Sequence, residues 1–453
     1  MRPYPARQTF WCDLALLPGG RVASGVTVEI DGGLIIGLTE GSPATPGAQH
    51  LPGLVIPGLA NSHSHAFHRA LRGRTQAPTG GRGSFWTWRE LMYSVAERLT
   101  PDSYLTLARA VYAEMALAGI TTVGEFHYLH RGADGRAYAD SNAMGHALVQ
   151  AARDAGLRIA LLDTCYLAGG FDRPLEGVQL RFDDGDAQGW GARATELATA
   201  YDDAADVVVG AAIHSVRAVP VDQLAPVAAW AAAREAPLHM HLSEQRAEND
   251  ACRDRHGVTP TRLLHDHGAL GPRSSAVHAT HLVDDDVALL AGSATAVCLC
   301  PTTERDLADG IGPSLALRDA GVELTLGSDS HAVIDLFEEA RGVELDSRLA
   351  TQARGHFDGA SLLATATDGH ARLGFAGAGR LAVGAPADLV AVRLDSVRTS
   401  GALPETALDT VVFAATAADV TDVVAGGRHV VEAGRHVLGD VGLLLRNAIH
   451  DVV

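Results

Sequence analysis

The chain of 453 residues is 47% apolar and 20% charged, a composition that builds a large buried core and excludes a disordered or fibrous protein. Its formal charge of −18 is broken by no basic cluster, so nucleic acid is not expected as a partner. No apolar run reaches the roughly 18 residues of a membrane span, and the start, M-R-P-Y-P-A-R-Q-T-F, lacks the apolar core of a secretory signal. The five cysteines, Cys12, Cys165, Cys252, Cys298 and Cys300, form no C-x-x-C pair. They point to neither a disulfide framework nor a Cys-rich zinc site, and a reducing cytoplasm is expected. Cys298 and Cys300, at i and i+2, read as core packing on a strand. All 36 basic residues are arginine, which excludes a lysine Schiff base or a carbamylated lysine bridging two metals.

From the N-terminus, residues 22–23, 25–30 and 34–38 read as hairpin strands separated by Gly and Pro. The next apolar run, 54–56, stops at Pro57-Gly58 and leads into His63-Ser64-His65; it is taken as the first strand of a second unit. A helix follows with Thr100 as N-cap, Pro101 at its first position and Gly119 as its stop. Residues 120–126 then form a strand, and the next helix ends at Ala155-Gly156. Further β-branched or apolar runs lie at 157–162, 207–213, 238–241, 275–278, 294–300 and 322–327. That gives eight strands with Ala-rich helical patterns between most of them, the signature of a parallel sheet. A (β/α)8 TIM-type barrel over residues 57–380 is expected. A doubly wound open sheet is the alternative, but no G-x-G-x-x-G follows any strand. Strand-like texture returns at 387–392 and 422–431, so residues 1–56 and 381–453 are expected to form a small composite β-sandwich.

In an extended chain residues i and i+2 point the same way, so His63 and His65 can face one point. Imidazole is a common ligand of zinc and iron, and two converging ones are half of a four-coordinate site. Active sites of such barrels lie at the C-terminal ends of the strands. Strand two ends in Glu125-Phe126-His127-Tyr128 and strand four in His214-Ser215-Val216-Arg217. Strand five ends in His239-Met240-His241-Leu242-Ser243-Glu244, strand six in His278-Ala279-Thr280-His281, and strand eight in Gly327-Ser328-Asp329-Ser330-His331. A single histidine would be an ordinary polar residue; six such strand ends at one mouth are not expected by chance.

With H-x-H after strand one, His after strands five and six, and Asp after strand eight, the chain resembles the amidohydrolase superfamily over essentially its whole length. Members with two metals usually carry a carbamylated lysine on strand four, so the resemblance is to the mononuclear, deaminase-type branch. It implies His63, His65, His241 and Asp329 as ligands of one divalent metal, zinc with iron(II) as the alternative. The branch's H-x-x-E matches His241-Leu242-Ser243-Glu244 and implies Glu244 as proton shuttle, with His239 structural. His278 fits the strand-six position better than His281, because it directly follows the apolar run. A divalent ion lowers the pKa of its water to roughly 7. Asp329 would accept the water's proton, Glu244 would carry one to the departing nitrogen, and His278 would polarise the electrophilic carbon's substituent or orient the attacking oxygen. The implied reaction is loss of ammonia from an amidine or aminopurine-like carbon.

Within the branch, N-S-H-S-H-A-F-H-R-A-L-R-G, G-S-F-W-T-W-R-E-L-M-Y, E-F-H-Y-L-H, H-S-V-R-A-V, H-M-H-L-S-E-Q, H-A-T-H-L and C-P-T-T-E-R-D-L-A-D-G resemble the N-formimino-L-glutamate deiminase family of histidine degradation. One departure is His68, where that family often carries Gln. The resemblance implies a small substrate with two carboxylates and an amidine-like group, and a homodimer. Arg89 and Arg217 are the candidates for bidentate carboxylate recognition, and Tyr128, His214 and His68 are further substrate-binding candidates. Trp86 and Trp88 read as a lid or core element. Two competing readings are a deaminase or chlorohydrolase acting on a heteroaromatic ring, and an inactive scaffold that has lost its ligands; the second is at odds with the complete ligand set.

Overall fold

The computed structural model describes residues 7–44, 46–76 and 85–453, with side chains from residue 88 onward in the last stretch. The described chain forms two eight-stranded sheets. The first opens with β1 (Gln8–Leu17), β2 (Arg21–Asp31), β3 (Leu34–Thr39) and β4 (Gln49–Pro57). The second is built from β5 (Leu59–Ser64), β6 (Ile120–His127), β7 (Arg158–Cys165), β8 (Val207–Ile213), β9 (Leu238–Leu242), β10 (Ser274–His278), β11 (Ala296–Leu299) and β12 (Leu324–Leu326). The chain then returns to the first sheet with β13 (Leu389–Val392), β14 (Val420–Ala425), β15 (Arg428–Glu432) and β16 (Arg435–His436).

Strands β5 to β12 lie in chain order and pair in parallel, and a bridge between Ser64 and Asp329 brings the last segment back to the first. Helices fill the connections, so this is the expected barrel, nearly closed. Thr100 caps the helix Pro101–Leu117, its hydroxyl oxygen accepting the Ser103 N–H, and Gly156 ends the helix Ala143–Ala155.

The terminal sheet runs β16-β15-β14-β13-β4-β1-β2-β3 and is mixed: β1 and β4 are parallel, the remaining neighbours antiparallel. Phe10, Cys12 and Ala15 of β1 enter a core that this sheet shares with Leu381 and Ala387. Leu14 and Leu16 instead join the large core of the barrel. A bulge between Cys12 and Leu14 divides the strand's side chains between the two cores.

One strand assignment is corrected. Residues 54–56 belong to β4, in the terminal sheet; the first barrel strand is β5, only one residue further on. Pro57-Gly58 does not end a unit but switches the chain from one sheet to the other. Gly58 is required there, since a Cβ would collide with the Thr121 side chain at the foot of β6.

The opposite end of the barrel from the strand C-termini is crossed by residues 369–375. Arg372 donates to Glu323 (2.8 Å) and to the Pro272 and Ala294 carbonyls, just ahead of β12, β10 and β11. Next to it, Leu373 lies against Gly124 of β6, and Gly374 against Val208 and Pro237 near β8 and β9.

Candidate metal and substrate site

The sequence places His63 in β5, His65 just beyond it, His241 in β9 and Asp329 just past β12, and the fold brings them together. Asp329 Oδ1 lies 3.3 Å from His63 Nε2 and 3.5 Å from His65 Nε2, and His241 Nε2 lies 3.2 Å from His63 Nε2. The other ring nitrogens explain the orientation. His65 Nδ1 is 3.0 Å from the Phe126 carbonyl and His241 Nδ1 is 2.9 Å from the His214 carbonyl. A carbonyl only accepts, so each Nδ1 carries the ring proton and each Nε2 lone pair faces the common point. Burial lowers the pKa of all three imidazoles, which favours the neutral, ligating form. Burial would raise Asp329, but His63, His278 and His65 outweigh it and hold the carboxyl well below its usual range. Neutral nitrogens converging with a carboxylate are the donor set of a divalent cation, and the residues fit one.

Glu244 and His278 stand over this point. His278 Nε2 lies 3.8 Å from Asp329 Oδ2 and 4.0 Å from Glu244 Oε1, while its Nδ1 lies 3.4 Å from Glu304 Oε1. Burial pushes Glu244 up to about 7, against the pull of His278 and Arg217. For His278 burial acts downward, but Glu244, Glu304 and Asp329 outweigh it and its pKa is raised well above the ordinary value. Backbone strain collects at the same strand ends: Ser243, His278, Ala279, Asp329 and His331 all have φ between +39° and +69°.

A cleft opens onto these groups, and every substrate-binding candidate lines it. His68 Nε2 is 3.2 Å from the Tyr128 hydroxyl. His214 packs against Tyr166 with ring centroids 4.4 Å apart. Arg89, on the helix Phe85–Arg98, donates from Nε to the Tyr93 hydroxyl at 2.6 Å. Arg217 donates from Nε to Glu248, whose other oxygen accepts the Ser243 N–H at 3.2 Å. Trp88 is buried and meets His68 edge-on at 5.0 Å, so it belongs to the wall. Gly83, Ser84 and the Trp86 side chain lie outside the described residues. The cleft is also more aromatic than a carboxylate site requires, with Tyr93, Tyr128, Tyr166 and Phe182 in its lining.

His239 and His281 do not line the cleft. Glu125 and His127 also face away from it, since Phe126 between them packs against His63 and His241. His127 forms a second buried group with His130 and Asp163. Asp163 already accepts from Arg193 (2.7 and 2.8 Å) and Trp190 (2.8 Å), so that group holds a cation of its own. Cys298 and Cys300 pack with Val277. Sequence reasoning missed Glu304 behind His278 and Glu248 behind Arg217. Each lies at the start of a helix after a strand, but its partner sits 26 or 31 residues away in the chain, a distance no local pattern spans.

Residues 54–430 match the amidohydrolase family. The chain is 36% identical to formimidoylglutamate deiminase of Pseudomonas aeruginosa over 434 residues, covering 94% of this chain and 95% of that one. It is 32% identical to 8-oxoguanine deaminase of the same organism over 396 residues, covering 84% of each. Among solved structures it resembles an amidohydrolase from Brucella melitensis, with a TM-score of 0.89, 32% identity and coverage of 98% of this chain and 99% of that one.

Proposed function

Because the chain belongs to the amidohydrolase family, we propose that it hydrolyses N-formimino-L-glutamate to N-formyl-L-glutamate and ammonia. The observation that carries this reading is the pair of arginines, Arg89 and Arg217, in the wall of the cleft that reaches His65, His241 and Asp329. A substrate with two carboxylates needs two such cations, and Arg presents the fork that matches a carboxylate. The relative at 36% identity over nearly the whole chain supports the same choice.

His63, His65, His241 and Asp329 would hold one divalent ion, zinc before iron(II). Such an ion supplies Lewis acidity that makes water a nucleophile near neutral pH. The protein's own groups then manage the protons. Asp329 takes the proton released by the attacking water. Glu244, with a pKa of about 7, can both hold and release a proton at working pH, which suits delivery to the departing nitrogen. His278, raised by three carboxylates, carries positive charge toward the oxygen and nitrogen of the tetrahedral carbon. Arg89 and Arg217 hold the carboxylates, while Tyr128, His214 and His68 donate or accept along the chain between them.

One observation favours a second reading, hydrolysis of an amino group from a heteroaromatic ring. Trp88, Tyr93, Tyr128, Tyr166 and Phe182 could sandwich such a ring. Ammonia release should therefore be measured with N-formimino-L-glutamate, guanine, 8-oxoguanine and S-adenosylhomocysteine, before and after chelation and zinc reconstitution. The expected result is turnover of the dicarboxylate alone, lost on chelation and restored by zinc. Preference for a ring substrate would replace the proposal with the second reading.

A further inference from the structure

The junction of β12 with β5 is closed unlike the others. Seven neighbouring pairs of barrel strands are joined by ladders, but here the bridge is Ser64 with Asp329. It consists of Asp329 N–H to His63 O (3.0 Å) and His65 N–H to Asp329 O (3.4 Å). Three of the four candidate ligands thus meet where the wall has least backbone bonding. Gly327 permits the approach, since a Cβ there would come within 2.7 Å of the His63 Cβ.

A run of fully buried side chains, Asn61, Ser328, His331, Ser64 and Glu125, crosses the same junction. Its direction follows from its two ends, the Ser328 amide and an ionised Glu125. Ser328 N–H can only donate, and it lies 2.9 Å from Asn61 Oδ1. Asn61 Nδ2 therefore donates to Ser328 Oγ at 2.7 Å. At the other end Ser64 gives its one proton to the Glu125 carboxylate, so His331 Nε2 must donate to Ser64 and the Ser328 hydroxyl donates to His331 Nδ1, at 3.0 Å. His331 has its ring proton on Nε2 and donates to Ser64 Oγ at 3.2 Å. Ser64 in turn donates to Glu125 Oε2 at 2.6 Å, while Glu125 Oε1 accepts the Ala66 N–H at 2.7 Å. With Glu125 ionised every proton is used once, and the chain ends on a carboxylate that grips both neighbours of His65. Burial pushes that carboxyl up to about 8, and the hydrogen bonds from Ser64 and Ala66 act to keep its charge.

We infer that Asn61, Ser328, His331, Ser64 and Glu125 form a one-way hydrogen-bond chain that fixes Asp329 against His63 and His65, with His331 and Glu125 as positioning residues for the metal centre. The inference rests on reading His63, His65, His241 and Asp329 as that centre. Its one-way character makes an unusual demand. In Glu125→Gln the amide oxygen must still meet Ala66 N–H, so the new NH2 faces Ser64 and reverses every bond up to Ser328, whose hydroxyl then confronts the Asn61 NH2. Adding Asn61→Asp supplies acceptors for both Ser328 hydrogens and lets the reversed chain complete itself.

The test measures zinc affinity of the full-length protein by chelator competition, together with the visible spectrum of its cobalt(II) form. Loss of an outer-shell partner typically weakens metal binding 10- to 100-fold. E125Q and His331→Leu should each show about that loss and an altered cobalt spectrum. His331→Gln, whose amide offers one donor and one acceptor, should bind nearly as wild type does, and N61D/E125Q should recover most of what E125Q loses. Wild-type affinity and spectrum in E125Q, or a double variant no better than E125Q, would overturn the inference. E125Q and the double variant carry the test if His331→Leu does not fold. A wild-type protein that binds no zinc, or a His63→Ala variant that binds it unchanged, would overturn the metal centre and this inference with it.

Discussion

Arg217→Ala tests the carboxylate anchor most directly. A hydrogen bond to a charged group is worth about 1.5–3 kcal/mol, and truncating one side of a buried charge pair costs about 2–5 kcal/mol. Taking about 3 kcal/mol for the lost substrate contact, kcat/KM for N-formimino-L-glutamate should fall roughly 150-fold, mostly through KM. The structure adds a complication that can be separated. The Glu248 side chain is only 2% exposed and pairs with Arg217, so the variant leaves a buried carboxylate alone. Glu248 also holds the Ser243 amide, in the turn between His241 and Glu244, so its distress would reach the site indirectly. Arg217→Ala/Glu248→Gln removes that orphan charge and should restore thermal stability while leaving kcat/KM low. Steady-state ammonia release and melting curves of the two variants decide the matter. Recovery of kcat/KM to within a few-fold of wild type in the double variant would show that Arg217 serves Glu248 and not the substrate.

Glu244→Gln should lower kcat by roughly 10²- to 10⁴-fold, the usual contribution of a positioned acid–base group, with zinc content by elemental analysis unchanged. Asp163 gives a pH signature: burial opposes its charge, but Arg193 and His130 outweigh this and lower its pKa to about 2. A depressed carboxyl stabilises the fold above its unfolded pKa of 3.8 and loses that contribution as pH falls through about 2. Acid unfolding of the wild type should steepen in that window, and Asp163→Asn should be destabilised by about 3–5 kcal/mol at neutral pH and lack the steepening. Thr100→Ala should cost about 1 kcal/mol in urea unfolding, through loss of the cap on Pro101–Leu117, with kcat unchanged.

The parts of the fold that advertise themselves by apolar runs were legible. Strands β6 to β12 were found within about three residues at each end, because each is a buried apolar stretch bounded by turn residues. Strand β5 was not, and the reason is its job. All of its residues are buried, yet four in succession are Asn61, Ser62, His63 and Ser64, so it has no apolar signature and the preceding run at 54–56 looked like the strand. The candidate ligands could be read because strand-end position is a local property. Their supports could not: Glu304 and Glu248 act on partners brought close only by the closed barrel, and Asn61 meets Ser328 across 267 positions. The aromatic side of the cleft was underestimated for the same reason, since Tyr166 and Phe182 come from the connection after a strand end that carries no histidine.

The strap of residues 369–375 across the foot of the barrel gives the molecule the plan of a well with a crossbar at its base. Arg372 ties the lower ends of three strands together, and Leu373 stoppers the space beneath β6. An approach to Asp329 from below would have to pass that strap, whereas the cleft at the strand C-termini reaches it directly. If the proposed dicarboxylate is the substrate, its product leaves past the same two arginines that receive the next molecule and should compete with it for them.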